Sequence, residues 1–165
     1  MRRVVTGQKN GKSVILEDAE IAGQGTFGSE MFGLWGTDEM PTIPLENLDY
    51  KKQLTMGMPK PGGTAIALWV RPPDEEFFKK AKENGVDIAE LWHKRFGDKT
   101  GMHTTDTIDY IIILSGEMWL EIDGGVLVHL KPGDCVVQNG IRHAWRNKGS
   151  ENCVMAIVMI GAKRR

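Results

Sequence analysis

Cysteine and long apolar runs are both scarce in this chain of 165 residues. The two cysteines, Cys135 and Cys153, match no zinc-ligand spacing and stand in apolar, strand-like surroundings, so we expect two buried thiols in a reducing compartment. No apolar run approaches the length of a membrane span. Polar residues follow the arginines near the start, where a signal peptide would need an apolar region. We therefore expect a cytoplasmic protein with no membrane contact.

An excess of charge of one sign is also missing. The chain has 21 Lys and Arg against 22 Asp and Glu, a net charge of −1. Nothing in this balance favours nucleic acid or an anionic surface as a partner. The length suits one domain spanning residues 1–165, and the sequence contains no repeat or low-complexity tract.

Twenty glycines and seven prolines divide the chain into short pieces. In the first part, residues 1–63, we expect strands at 13–16 and 31–35. The prolines at 41–61 then predict an irregular wrap that covers an opening or reaches another subunit. A strand at 64–70 precedes a helical insertion at 74–96, which starts with three acids and stops at Gly97.

From residue 102 onward the pattern is that of strands. Residues 118–122 alternate, with Met118, Leu120 and Ile122 on one face, and the Asp123-Gly124-Gly125 triplet is typical of a hairpin. Val126, Val128 and Leu130 continue the apolar face, which leaves His129 exposed. Several short strands with regular turns predict an all-β sandwich or small barrel.

His103 and Asp109 precede and begin a block that looks fully buried. On one straight strand they would share a face but lie roughly 20 Å apart, at about 3.3 Å per residue. A shared site therefore requires the chain to turn at residues 105–107, where threonine and aspartate can hydrogen-bond their own backbone.

His143 is the candidate for a third ligand. Two histidines and one carboxylate facing a cavity suit Fe(II), with Mn, Ni or Zn as competitors, and the remaining positions would take water, oxygen or substrate. Trp145 and Asn147 share the face of His143, and Thr105 lies beside His103, so we expect these three residues to line the pocket. A polar turn and a separately satisfied core histidine would explain the same residues without a site.

Two motifs in residues 101–161 resemble those of the cupin superfamily. His103, Thr105, Asp109 and Gly116 stand at the spacing of the first motif, and a stretch from Gly133-Asp134 to His143 and Asn147 matches the second. The resemblance implies a jelly-roll barrel with the pocket inside it. More loosely, the sequence resembles cupins found beside small-molecule biosynthetic enzymes.

The sequence departs from these motifs in three ways. Thr105 replaces the second histidine, which reduces the four-ligand set of the family to His103, Asp109 and His143. Asp109 replaces the usual glutamate, and Gln138 replaces a proline, with the spacing from Gly133 one residue short. Cupins with a broken first motif include members that hold no metal.

Three functions follow from this reading. The first is a metal-dependent enzyme, an oxygenase, lyase or dehydratase acting on a small organic molecule, with aromatic or polyketide-like compounds as candidates. The second is a metal-free lyase or dehydratase that uses histidine as acid or base, with Asp109 orienting it. The third is a non-catalytic module that binds a small ligand.

We also expect a homodimer, because cupin barrels are often dimers. Tyr110, Ile112 and Leu114 give the site strand a second apolar face, which needs a cover from the N-terminal segment or a partner chain.

Overall fold

The computed structural model describes residues 1–43 and 58–165 of the chain. Most of the proline-rich wrap predicted at 41–61 therefore lies outside the described residues. Within the described ranges, the fold has eleven strands and two α-helices. The first strands are β1 (Arg2–Lys9), β2 (Lys12–Glu20), β3 (Gln24–Thr26), β4 (Ser29–Thr37) and β5 (Thr64–Arg71). Helices α1 (Asp74–Glu83) and α2 (Ile88–Phe96) follow. The remaining strands are β6 (Thr107–Ser115), β7 (Met118–Ile122), β8 (Val126–Leu130), β9 (Cys135–Gln138), β10 (His143–Arg146) and β11 (Cys153–Gly161).

The strands form a jelly roll of antiparallel sheets. One sheet has six strands in the order β3-β4-β5-β11-β6-β9, and the other has three in the order β10-β7-β8. A separate hairpin pairs β1 with β2. The predicted all-β jelly-roll fold with a small helical insertion is thus confirmed.

The core lies between the two larger sheets. Strand β6 alternates, so that Ile111 and Ile113 are buried while Tyr110 and Ile112 face outward. In the three-stranded sheet, Met118 and Leu120 of β7 are buried, which is the alternation predicted for residues 118–122. The buried cluster contains Ile111, Ile113, Met118, Leu120, Leu130, Cys153 and Met155. Burial of these apolar side chains is the main stabilising contribution to the barrel.

Two burial predictions near the sheet edges are wrong. Val126 and Val128 are 52 % and 44 % exposed, and of that strand only Leu130 reaches the core. Cys135 is exposed, whereas Cys153 is buried as predicted. The exposed residues belong to β8 and β9, which are edge strands and so have a neighbour on one side only.

The N-terminal hairpin contains one strand more than the sequence indicated. Strand β1 lacks an apolar stripe, and its inward residue is Arg3, which is 8 % exposed and paired with Glu17 at 2.6 Å. The predicted strands at 13–16 and 31–35 appear as parts of β2 and β4.

The helical insertion has its own small core. Phe77, Ala81 and Ile88 are buried together and pack against Trp92, among others. The side chain of Asp87 caps the start of α2, and Gly97 ends it with a φ of 73°, as predicted. None of the helices in the described residues is long and apolar enough to cross a membrane.

Candidate functional site

His103 and His143 lie side by side at one end of the barrel. They form an isolated antiparallel bridge in which each backbone N–H donates to the other carbonyl at 2.8 Å. Their imidazole rings are 4.4 Å apart between centroids. Residues 40 positions apart in sequence are thus brought into contact by the closure of the barrel.

A bend at Asp106 separates His103 from the strand that carries Asp109. The chain leaves the bridge with His143 and enters the six-stranded sheet at Thr107. Arg164 fixes the bend: its Nε donates to Asp106 Oδ1 at 2.6 Å and its Nη2 to the carbonyl of Thr105 at 2.8 Å. The chain therefore changes direction between His103 and Asp109, at the residues where a site shared by the two requires a turn.

Both imidazoles are held in one tautomer by the backbone. Nδ1–H of His103 donates to the carbonyl of Gly101 at 3.0 Å, and Nδ1–H of His143 donates to that of Ile141 at 2.9 Å. Because a carbonyl can only accept, the proton must sit on Nδ1, and Nε2 of each ring carries a free lone pair. This is the form in which histidine binds a metal or accepts a proton.

Burial keeps both rings neutral. It lowers the pKa of His143 to about 4, with the neighbouring His103 adding to the effect and the bond to Ile141 opposing it. The pKa of His103 is also lowered, chiefly by burial, while its backbone bond and Asp109 oppose the shift. Two unprotonated imidazoles therefore face this end of the barrel at neutral pH.

Asp109 lies beside the histidines on β6. Its side chain is 6 % exposed, and burial raises its pKa, with Thr107 and His103 acting in the opposite direction. Thr107 lies close enough to Asp109 to lower the pKa of its carboxyl group, but the contact does not have the geometry of a full hydrogen bond. Among the described residues, Asp109 Oδ1 has no hydrogen-bond partner.

The donor types in this group suit a divalent ion, although the group is not closed. Two imidazole nitrogens and an orphaned carboxylate oxygen are ligands that Fe(II), Mn, Ni and Zn accept. Across residues 1–43 and 58–165, however, no three His, Cys, Asp or Glu side chains stand close enough together to hold an ion. The structure therefore presents a two-histidine site with Asp109 as a neighbouring acid.

Two aromatic side chains flank the histidines. Phe96, the last residue of α2, stacks on His103 with centroids 4.6 Å apart and an angle of 19°. Trp145 meets His143 edge to face at 5.9 Å and also packs against the core. The contact with Phe96 was not predicted, because the docking of a helix onto a distant strand leaves no local signal in the sequence.

Thr105 and Asn147, the other two residues predicted to line the pocket, lie in different places. Thr105 is 7 % exposed beside the histidines, and its hydroxyl has no partner within the described structure. Asn147 lies elsewhere: its amide donates to the carbonyls of Arg71 and Glu151 and accepts from the N–H of Gly149. All of these groups are backbone, so Asn147 holds a turn rather than lining a pocket.

Gln138 belongs to the site, although the sequence marked it only as a departure from a motif. It is 2 % exposed and is the cross-strand partner of Asp109. Knowledge of the strand register would have revealed it, since directly paired residues point to the same face.

Two clefts in the described part lie outside this group. The larger, about 600 Å³, opens on the helical insertion between Phe78, Trp92 and Lys99. A smaller pocket of about 100 Å³ adjoins the backbone of Thr105 and Thr107. Neither cleft is lined by His103, Asp109 or His143.

Comparison with known proteins finds similarity over part of this chain. A family model described as a cupin domain matches residues 92–160. Phomopsin biosynthesis cluster proteins C′ and D of Diaporthe leptostromiformis are each 41 % identical to this chain over 64 residues, which are 39 % of this chain and 34 % of theirs. Oryzines biosynthesis cluster protein J of Aspergillus oryzae is 38 % identical over 55 residues, or 33 % of this chain and 31 % of that protein. The chain thus spans about a third of the length of these curated relatives.

Among solved structures, the cupin domain of Schizosaccharomyces pombe Cnp3 gives a TM-score of 0.49 at 9 % identity, covering 97 % of this chain and 87 % of that one. His103, Asp109 and His143 all lie in the segment that matches the family model. The similarity to the cupin-domain model thus covers residues 92–160 of this chain.

Proposed function

We propose that this protein is a metal-dependent enzyme of small-molecule biosynthesis that acts on a small organic molecule at the polar end of its cupin barrel. The similarity to proteins of the phomopsin and oryzine biosynthesis clusters supports the biosynthetic role. The free thiols of Cys135 and Cys153 support a reducing cytoplasm as its compartment.

The observation that carries the proposal is the pair of free Nε2 lone pairs on His103 and His143. Both rings donate Nδ1–H to backbone carbonyls, which is the arrangement that fixes the tautomer of metal-binding histidines. We assign His103 and His143 as ligands. Asp109, the acid next to His103, is the proposed third ligand and would have to move closer to the two rings than it lies in the structure. Fe(II) is favoured over Mn, Ni and Zn. When bound, such an ion supplies Lewis-acid chemistry by polarising an oxygen of the substrate.

The chain itself orients the two imidazoles and shields them from water. Phe96 and Trp145 pack against the two imidazoles and limit their rotation. The carbonyls of Gly101 and Ile141 keep the protons off the inward nitrogens. Asp109, buried next to His103, can accept or return a proton within this shielded space.

Elemental analysis of protein purified without added metal tests the proposal. We expect about one equivalent of a transition metal per chain, lost in His143→Ala and His103→Ala. His129→Ala is the matched control, because His129 is an exposed histidine on β8, which is separated by β7 from the strand β10 that carries His143. Metal retained in both site variants, or absent from the wild-type protein after supplementation with each candidate ion, contradicts it.

The second candidate, a metal-free lyase or dehydratase, is favoured by one observation. Within the described residues, no three potential ligands come together, whereas a neutral imidazole and a buried carboxyl group lie close to each other. In this case His103 or His143 acts as the general base through Nε2. A wild-type protein that takes up none of the candidate ions would support this second candidate. The protonation of His103 should then depend on that of His143, because the two rings are in contact.

A further inference from the structure

Four buried polar atoms at this end of the barrel have no hydrogen-bond partner among the described residues. They are Thr105 Oγ1, Thr107 Oγ1, Asp109 Oδ1 and Gln138 Nε2. Their residues are only 2–7 % exposed. A buried polar atom without a partner destabilises the fold, so four of them in one region indicate a place where a ligand supplies the missing partners.

Three of these residues share one face of the sheet, and Thr105 precedes them at the bend before β6. We call the four residues the polar cradle: Thr105, Thr107, Asp109 and Gln138. Asp109 and Gln138 are opposite each other on β6 and β9, which places their Cβ atoms about 5 Å apart on the same face. Thr107 lies two residues before Asp109 on that face. The backbone carbonyls of Thr105 and Thr107 both lie against Gly140, which places the two threonines together at the end of β6.

Three members of the cradle occupy the positions at which the sequence departs from the cupin motifs. Thr105, Asp109 and Gln138 replace a histidine, a glutamate and a proline. Seen along the chain, these changes look like the loss of a metal site. In space Asp109 and Gln138 are paired across two strands, and Gln138 introduces an amide donor that a proline would not provide.

The chemistry of the pair at the centre of the cradle restricts what can bind. Ionised Asp109 only accepts hydrogen bonds, and Gln138 Nε2 only donates them. A matching group must therefore present a donor and an acceptor side by side. A carboxamide does so, whereas a carboxylate offers no donor to Asp109 and a ketone offers only an acceptor.

We propose that the polar cradle binds a neutral carboxamide group of the ligand. The amide N–H donates to Asp109 Oδ1, the amide oxygen accepts from Gln138 Nε2, and the threonine hydroxyls complete the contacts. The inference rests on the proposed function only in placing the ligand at the same end of the barrel. Occupancy of Oδ1 by the amide leaves the second oxygen of Asp109 for an ion.

Three probes of equal size test the proposal on the purified chain. Acetamide, acetate and acetone differ only in the group offered, and binding is followed in ¹⁵N-labelled protein through the side-chain NH₂ signals of Gln138. We expect acetamide to shift these signals and to bind roughly tenfold more tightly than the other two, the effect of about one hydrogen bond. Equal binding of the three probes, or Gln138 signals that do not move, would overturn the proposal.

Gln138→Leu and Thr107→Val provide an independent readout. Each replaces a buried, unpartnered polar group with an apolar one of similar shape, so we expect the melting temperature to stay the same or rise while the preference for acetamide is lost. A marked fall in melting temperature in both variants would show that the native protein already pairs these groups, and it would refute the cradle.

The same experiment separates this inference from the proposed function. The probes are measured before and after treatment with EDTA. Preference for acetamide in a protein that binds no metal leaves the cradle standing and removes the metal centre. A protein that binds metal through His103 and His143 but shows no preference among the probes leaves the metal centre standing and removes the cradle.

Discussion

At the scale of single residues, the histidine pair is defined by its backbone bonds. Each ring donates to the carbonyl two residues before it, and the two residues are themselves paired across a bridge. Because both rings use Nδ1 for a backbone bond, the unprotonated nitrogen is Nε2 in both His103 and His143. Neutral, desolvated imidazoles are sensitive to acid, and this sensitivity is measurable without knowledge of the substrate.

Stability of the metal-free protein should fall as the pH drops from about 6.5 towards 4. The pKa of His143 is depressed from 6.5 to about 4, so the unfolded chain takes up its proton first. Protonation of the unfolded state removes stability that is fully present above 6.5, on the order of 3 kcal/mol for this one group. His103 acts in the same direction, and the raised pKa of Asp109 acts against them, since the folded state then gains a proton early.

Urea unfolding at a series of pH values, in the presence of EDTA, measures this dependence. His143→Gln should flatten the profile between pH 6.5 and 4, whereas His93→Gln, which changes an exposed helix residue, should leave it as it is. Parallel profiles for the wild-type protein and His143→Gln would show that His143 is not shielded in solution.

At the scale of elements, the insertion α1–α2 joins the barrel through aromatic contacts. Phe77 is 8 % exposed and packs edge to face against Phe27, while the guanidinium of Arg71 lies 3.8 Å above its ring. The C-terminal end of α2 delivers Phe96 to the site. Damage to the small core of the insertion should therefore reach the histidines.

Phe77→Ala should reduce the free energy of unfolding by about 3 kcal/mol, the usual effect of removing a buried phenylalanine. Phe78→Ala is the matched control: Phe78 is the next residue in sequence, is 39 % exposed, and should cost well under half as much. Denaturant unfolding compares the two variants. Similar losses for both would mean that the insertion does not pack as described.

Gly116 and Gly124 offer a second comparison within elements. Both have positive φ, 69° and 77°, but a Cβ at Gly116 would lie 2.3 Å from the carbonyl oxygen of Asn152, whereas the space around Gly124 is open. Gly124→Ala should cost about 1 kcal/mol from backbone strain alone, and Gly116→Ala clearly more. Thermal unfolding ranks the variants, and the reverse order would contradict the tight turn at Gly116.

The sequence predicted elements well where their pattern is local. The acidic start of α1, the end of α2 at Gly97 and the alternation of residues 118–122 depend on neighbours along the chain, and they were found as expected. Val126 and Val128 have the same alternation but lie on an edge strand, and exposure at an edge depends on which strands are last in a sheet. Gln138 and Phe96 escaped prediction for a related reason, since their roles arise from strand register and from helix docking.

At the scale of the whole molecule, the outer face of the six-stranded sheet is apolar around β6. Ile112 is 41 % and Leu114 is 50 % exposed in the single chain, and Val137 on the adjacent edge strand is 56 % exposed. Side chains of this type, clustered on one sheet face, are typical of an interface. The sequence led us to expect a cover from the N-terminal segment or from a partner chain, and the homodimer stays a prediction.

Light scattering coupled to size exclusion should give the mass of two chains, and Ile112→Glu should give the mass of one while the circular dichroism spectrum keeps its strand signal. The charge would be desolvated in the interface of the dimer but solvated in the monomer. Ile15→Glu is the control, since Ile15 is 61 % exposed on the separate N-terminal hairpin. A wild-type protein that is monomeric at all concentrations would contradict the homodimer.

The most direct test of the account is a titration of ¹⁵N-histidine-labelled protein with Zn²⁺, a diamagnetic ion that suits imidazole ligands. Before addition, the chemical shifts at neutral pH should show Nδ1 protonated and Nε2 unprotonated in both His103 and His143. The two Nε2 signals should then move together and stop changing at about one equivalent. Protonated Nε2 atoms at the start, or signals that move only at His93 and His129, would contradict the claim that the paired imidazoles form a cation site.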